Sequence, residues 1–148
     1  AVADALRGQG LDYLSIVVEA PMPNNNARVD YVLLGSSLDG ARVAICMELK
    51  MWSRCLVTRA GRVTFGNTVG SEVERLHPCW QVLGYRDQLR FYGASLVNKV
   101  PESRVHGLVY LPVMMNSKWL QGGDERSKEL NSSFAAECPP ITHQDSDR

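Results

Sequence analysis

The sequence predicts an α/β domain: a mixed central β-sheet flanked by helices, with its elements in the order αβββαβ. Three observations carry that expectation. Apolar, β-branched runs crowd the first third of the chain (SIVVEA, RVDYVLLG, ARVAICMELKMW). One helical stretch, HPCWQVLGYRDQLRFYG, comes later, and a further apolar run, RVHGLVYLPVMM, follows it. Consecutive strands followed by a crossover helix and another strand give a mixed sheet, with helices to cover its faces.

Taken in order, Ala3 to Leu14 shows weak helical spacing through Ala5, Leu6 and Leu11, interrupted by Gly8 and Gly10. SIVVEA is a short strand running into a loop of Pro and three Asn. Arg28 to Gly35 and Ala41 to Trp52 are two strands separated by SSLDG, a hairpin. A smaller hairpin is expected to turn at Ala60-Gly61, with Arg54, Arg59 and Arg62 around it. The helix then runs from His77 to Gly93, with Pro78 suited to a first helical position and Gly93 as its stop. From Asn116 the chain turns polar. Residues 1–115 therefore read as the core and 116–148 as an extension, with one short helix and an edge strand or partial disorder.

A chain of 148 residues with 45% hydrophobic content can bury a core of its own. Lys and Arg total 16 and Asp and Glu total 16, which argues against binding DNA by global charge but not against a local basic groove. The four cysteines are scattered with no C-x-x-C pair, so free thiols and a cytoplasmic location are expected, with a disulfide pair the lesser alternative. No signal peptide, membrane-span-length apolar run or internal repeat is present. The first residue is Ala1 rather than Met, which leaves open a piece of a longer protein.

The stretch ICMELKMWS carries the chemistry. Alternation along a strand puts Ala44, Cys46, Glu48 and Lys50 on one face, and Val43, Ile45, Met47 and Leu49 on the other, which is expected to be plain core. With the hairpin turn centred near Leu38-Asp39, Asp30 falls opposite Met47, one step from Glu48. Two carboxylates held that close repel unless a cation lies between them. Hard Mg²⁺ or Mn²⁺ takes such oxygen ligands. Lys50 is then placed to act on a metal-bound water or on a phosphate. The plainer alternative is that Glu48 and Lys50 are the solvated end of a strand.

On the helix, His77, Gln81 and Tyr85 recur four apart and share a face, with Leu83 and Leu89 expected on the opposing, sheet-facing side. Ordinary amphipathic packing is the plainer reading of Tyr85, and a backbone-bonded helix start that of His77.

Asp30, then Glu48-Leu49-Lys50, then Gln81-Val82-Leu83-Gly84-Tyr85 resembles the PD-(D/E)XK nuclease superfamily, in its RecB-like branch with a Q-x-x-x-Y motif. VEAPMPNNNARVDYVLLG, MELKMWS and HPCWQVLGYRDQL look like bacterial nuclease domains that precede a helicase or ATPase region. The likeness spans roughly Glu19 to Leu111. It implies a restriction-endonuclease-like core and metal-assisted hydrolysis of phosphodiesters. Asp30, Glu48 and the Leu49 carbonyl would hold the Mg²⁺ or Mn²⁺, Lys50 would be the catalytic lysine, and Gln81 and Tyr85 would position water or phosphate. Glu19 matches an upstream acid of some members. Position 29 is Val where the family has Pro, and the upstream histidine of many RecB-like members is absent, with His77 the one candidate to compensate. Cys46 and Cys79 lie inside the core motifs, so the iron–sulfur cluster of some relatives is not expected.

Beyond the catalytic strand, Arg54, Arg59 and Arg62 are candidates to hold a phosphate backbone, and Trp52 to stack on a base. A solvated hairpin with Trp52 covering core is the alternative. The partners implied are nucleic acid, DNA before RNA, and a fused or associated helicase or ATPase, with no membrane. A non-catalytic nucleic-acid-binding or assembly module is the competing function. A small-nucleotide hydrolase has no G-x-x-x-x-G-K-[ST] loop to support it.

Overall fold

Strand-forming runs and one strong helix signal become eight strands and two helices in the computed structural model, which describes residues 13–53, 55–59, 61–65, 73–92, 100–101, 104–114 and 125–142. Strands β1 (Ser15–Pro21), β2 (Arg28–Ser36), β3 (Arg42–Leu49), β7 (Val105–Leu111) and β8 (Pro140–Thr142) form a five-stranded mixed sheet in the order β1-β2-β3-β7-β8. Strands β4 (Cys55–Arg59), β5 (Arg62–Phe65) and β6 (Val73–Leu76) form a second, three-stranded sheet. The helices are α1 (Pro78–Tyr92) and α2 (Glu125–Glu137). The fold is thus mixed α/β. The helix expected near the start lies outside the described residues but for its last two, and Gly93, its expected counterpart at the end of α1, lies outside them too. Among the described residues no helix is long and apolar enough to cross a membrane.

The chain divides into two compact units. The first comprises Ala1–Met47 and Tyr85–His106. In it, β1 and β2 pair antiparallel from Ser15↔Leu34 to Pro21↔Arg28, joined by a loop in which Asn25 Oδ1 accepts the Ala27 amide at 2.9 Å. β2 and β3 pair antiparallel from Tyr31↔Met47 to Ser36↔Arg42. Tyr31, not Asp30, therefore faces Met47, one residue from the expected register. The turn is the reason: Ser37 N donates to Ala41 O at 2.9 Å and Gly40 takes a left-handed φ of 78°, so the connection spans residues 37–41 and centres on Asp39.

Burial corrects the expectation for β3. Ala44, Cys46 and Glu48 are at most 4% exposed; on the other face Met47 is buried at 6%, as expected, but Val43, Ile45 and Leu49 are half-buried. The face that ends in charge is the more deeply buried one.

The second unit comprises Glu48–Gly84 and Gly107–Arg148. Its small sheet pairs Cys55↔Phe65 through Arg59↔Arg62 and Arg62↔Leu76 through Phe65↔Val73, both antiparallel, with a register shift between Val57 and Arg59. The Gly61 turn is where the sequence placed it, and β6 is an element the sequence reading left out. Gly61 has φ 71°, and a Cβ there would lie 2.7 Å from the Trp80 ring, so only glycine lets this turn close over α1. Gly107 serves the same end on β7: a Cβ would sit 2.8 Å from Val82 and 3.3 Å from Cys138 Sγ. The polar extension supplies α2, which buries Ser127, Asn131 and Ala135 at four-residue spacing. It also supplies β8, parallel to β7 from Val109↔Pro140 to Leu111↔Thr142.

Candidate active site

Glu48 is the penultimate residue of β3 and is 4% exposed. Lys50 follows the strand end, and its backbone amide donates to the Tyr110 carbonyl of β7 at 2.9 Å, which fixes the chain there. Its side chain returns along the same face: Nζ lies 2.6 Å from Glu48 Oε1. From α1, Gln81 Nε2 donates to the same Oε1 at 2.9 Å. A buried carboxylate is costly unless it is paired and hydrogen-bonded, and this one is both.

Gln81 is aimed by the start of its helix. His77 N donates to Gly61 O at 2.8 Å, and Gln81 N donates to His77 O at 3.0 Å, the first bond of α1 after Pro78. His77 is fully buried, its ring 6.0 Å from that of Phe134 on α2. Its main chain, bonded to the Gly61 carbonyl and the Gln81 amide, opens the helix. Trp52, 8% exposed, stacks on Phe65 with centroids 4.4 Å apart and planes 12° apart. The Lys50 ammonium lies 5.8 Å from the Trp52 ring centroid, within cation–π range. Trp52 is therefore an inner wall against which the lysine rests, not an open platform for a base. Phe65 and the Tyr110 carbonyl are members of this arrangement that sequence reasoning missed. Neither carried a signal, because both contacts join residues well separated in the chain.

The helix face also differs from expectation. Leu89, 1% exposed, is one turn beyond Tyr85, 9% exposed, and both are buried. Solvent takes Trp80, Gly84 and Phe91 instead. The His77–Gln81–Tyr85 stripe thus shares a buried side of α1 with Leu89, while Leu83, also buried, stands across the helix from it as expected.

Glu19 and Asp30 are placed by β1 and β2. The pairs Val18↔Tyr31 and Ala20↔Val29 bracket them, so Glu19 stands at the position across from Asp30. The ladder is interrupted there: Glu19 has φ 52°, the left-handed region, and it is the one described residue other than glycine with a positive φ. Left-handed backbone at a residue with a Cβ is strained, and such strain concentrates at functional positions. Asp30 is half-buried, as is Leu49, the last residue of β3. Arg59 is spent in an exposed ion pair with Glu74 at 3.2 Å, Arg62 is exposed on β5, and Arg54 lies outside the described residues.

Among the described residues no group of three or more His, Cys, Asp or Glu side chains is arranged to hold a metal ion. Within the second unit, the Glu48 carboxylate and the Leu49 carbonyl are hard oxygen donors, the kind that Mg²⁺ or Mn²⁺ takes. All four cysteines are buried; burial pushes the Cys55 thiol up to about 12, and a hydrogen bond with Cys138 together with burial raises Cys79. Thiols so placed are poor nucleophiles. No protein-family model, curated protein or solved structure matches the chain.

Proposed function

We propose that this chain is a divalent-metal-dependent nuclease with a restriction-endonuclease-like core, hydrolysing phosphodiester bonds in nucleic acid, DNA before RNA, beside a fused or associated helicase or ATPase. One observation carries the reading. Glu48, Lys50 and Gln81, the last 33 residues from the first, meet on a single carboxylate oxygen. A buried ion pair adds little stability, since desolvation offsets the Coulomb gain. A site that needs an oriented carboxylate beside a positioned ammonium gives this cluster a reason to exist.

Asp30, Glu48 and the Leu49 carbonyl would hold the ion, with Glu19 a further acid. Bound Mg²⁺ or Mn²⁺ supplies a water of lowered pKa and positive charge for the phosphate oxygens. The chain's own residues set the geometry. Gln81 fixes the rotation of the Glu48 carboxylate. The Lys50 ammonium has three N–H donors, of which Glu48 Oε1 takes one. With its side chain 18% exposed, it can present another to the attacking water or to a phosphate oxygen as charge develops there. The Trp52 face holds that ammonium from one side. Tyr85, from the same motif, positions water or phosphate.

A second reading, a non-catalytic binding or assembly module, is favoured by the 2.6 Å Lys50–Glu48 pair itself, which already compensates the carboxylate. Cleavage of labelled linear single-stranded, linear duplex and circular DNA, with Mg²⁺, Mn²⁺ or chelator, separates the two. The Lys50→Ala protein runs beside the wild type. Metal-dependent cutting that the variant loses is the expected result, and sparing of circles identifies an exonuclease. No cutting and no metal binding sinks the proposal in favour of the module.

A further inference from the structure

Lys50 and Trp52 lie between β3 and β4, on a stretch that belongs to neither strand. Lys50 is tied there through its main chain, by the bond from its amide to the Tyr110 carbonyl at 2.9 Å. Its side chain is a flexible stem ending in a point charge. Glu48 Oε1, 2.6 Å from Nζ, holds one N–H of that charge. A single oxygen does not fix where the other N–H groups point.

Trp52 supplies a second constraint. Its ring centroid lies 5.8 Å from Nζ, and it is 8% exposed although its neighbour Met51 is 58% exposed. The chain therefore turns the indole inward and leaves Met51 in water. The indole meets Phe65 of β5, ring centroids 4.4 Å apart and planes 12° from parallel. An aliphatic side chain at position 65 would fill the same space, but a stacked ring also sets the plane of its partner. Phe65 is itself placed by the sheet, on the central strand, paired with Cys55 on β4 and Val73 on β6. A line of contacts thus runs from a strand with a ladder on either side, through two rings, to the ammonium. Every member of it belongs to the second unit.

We infer that Phe65 is a positioning residue for the nuclease reaction: stacked on Trp52, it fixes the indole face against which the Lys50 ammonium is aimed at the substrate phosphate. The role of Lys50 rests on the proposed function, whereas the contact between the rings and the lysine does not.

The test reads the contact and the reaction separately. The four lysines of the full chain are labelled with ¹³C and their ε-methylene signals recorded in EDTA, with Lys50→Met assigning the Lys50 signal. The indole ring current should shift the Lys50 ε-protons upfield of their position in the unfolded chain. Trp52→Leu should abolish that shift, and Phe65→Leu should reduce it with the indole still present. Phe65→Tyr keeps the ring and should keep the wild-type signal. In cleavage with Mg²⁺ or Mn²⁺, Phe65→Leu should lower kcat by about tenfold to a hundredfold with KM little changed, as for a misplaced group that acts in the transition state. Phe65→Tyr should restore kcat. Val57→Ala, in the interior of the same small sheet, is the control. It should lower the melting temperature and leave both the Lys50 signal and kcat as in wild type where each protein is folded. If Phe65→Leu does not fold by circular dichroism, Phe65→Met decides in its place. A wild-type Lys50 signal without the upfield shift overturns the inference. So does a Phe65→Leu protein with the wild-type signal or wild-type kcat, or a Val57→Ala protein whose signal moves as far as that of Phe65→Leu. A wild-type chain with the shifted signal but no metal-dependent cleavage overturns the nuclease reading, and the role given to Phe65 falls with it.

Discussion

Replacing Lys50 with methionine keeps an unbranched stem, one atom shorter, and removes its charge, leaving the Glu48 carboxylate, 4% exposed, with the Gln81 amide but without the ammonium 2.6 Å away. Breaking a buried pair from one side costs roughly 3–5 kcal/mol. Gln81 remains and the Lys50 side chain is itself 18% exposed, so the lower end applies, about 3 kcal/mol. In a chain of this length each kcal/mol moves the melting temperature by about 2–4 °C, so Lys50→Met should melt about 6–12 °C below wild type. Glu48→Gln should lose less, because the lysine stem can turn its ammonium to water. Glu48→Gln/Lys50→Met should lose less than the sum of the two, with a coupling of at least about 1 kcal/mol. Calorimetry of the four proteins measures this cycle, and repeating it with Mn²⁺ adds the functional question. A cation held by Glu48 replaces the missing ammonium, so Mn²⁺ should raise the melting temperature of Lys50→Met more than that of wild type. Single losses that add within about 0.5 kcal/mol would refute the buried pair. Equal Mn²⁺ shifts in the two proteins would refute Glu48 as a ligand.

Glu19→Gly should raise the urea midpoint at unchanged m: the left-handed backbone costs about 1–2 kcal/mol, and glycine's extra unfolded freedom offsets about 0.5–1 of the gain. Glu19→Ala keeps the strain, and if it stabilises equally the cause is not conformational. Gly40→Ala meets no atom within 4 Å and should lose only the backbone term, about 1–2 kcal/mol, by chemical denaturation. Gly61→Ala adds a 2.7 Å approach to Trp80 and should lose at least about 1 kcal/mol more. His106 should titrate below 6.5 by NMR, held there by burial and then by Arg90, Arg104 and Arg86, and Arg104→Gln should move it up. The unfolded chain binds that proton more readily, so this group's stabilisation is full above 6.5 and falls as pH drops toward the folded value. Cys55, buried and pushed up to about 12, should resist iodoacetamide at pH 8 until denaturant is added.

Much of the fold was legible because its signals are local. SSLDG between two β-branched runs specifies a hairpin, and Pro78 ahead of a periodic stretch specifies where α1 begins. Register was not legible to the residue. Gly40 in the left-handed region widens the turn by one position, and in a strand one position changes which residues stand opposite. Strand β6 escaped because VERL alternates charge with apolar residues on a largely exposed edge, a pattern that reads equally as loop. The Gln81–Glu48 bond joins residues 33 apart, and no periodicity reaches that far. Only the likeness of the motifs put those two residues in one expectation. Trp52 illustrates the converse, since its composition suggested a stacking platform and its position beside Phe65 made it a wall.

Why a carboxylate sits on the buried face of β3 follows from how it is held. Glu48 is 4% exposed, and Lys50 and Gln81, both on Oε1, make its charge tolerable. The orientation of Gln81 depends in turn on groups with no chemistry of their own. The Gly61 carbonyl holds the His77 amide, His77 opens α1, and the close fit of Gly61 against Trp80 leaves that turn no other position. A substitution at Gly61 therefore reaches Glu48 through two hydrogen bonds and a helix start. Gly61→Ala should disturb the carboxylate without touching it, and its cleavage defect should exceed that of Gly40→Ala when both are compared at temperatures where each is fully folded. Equal activities there would mean that Glu48 and Lys50 hold their geometry without the helix.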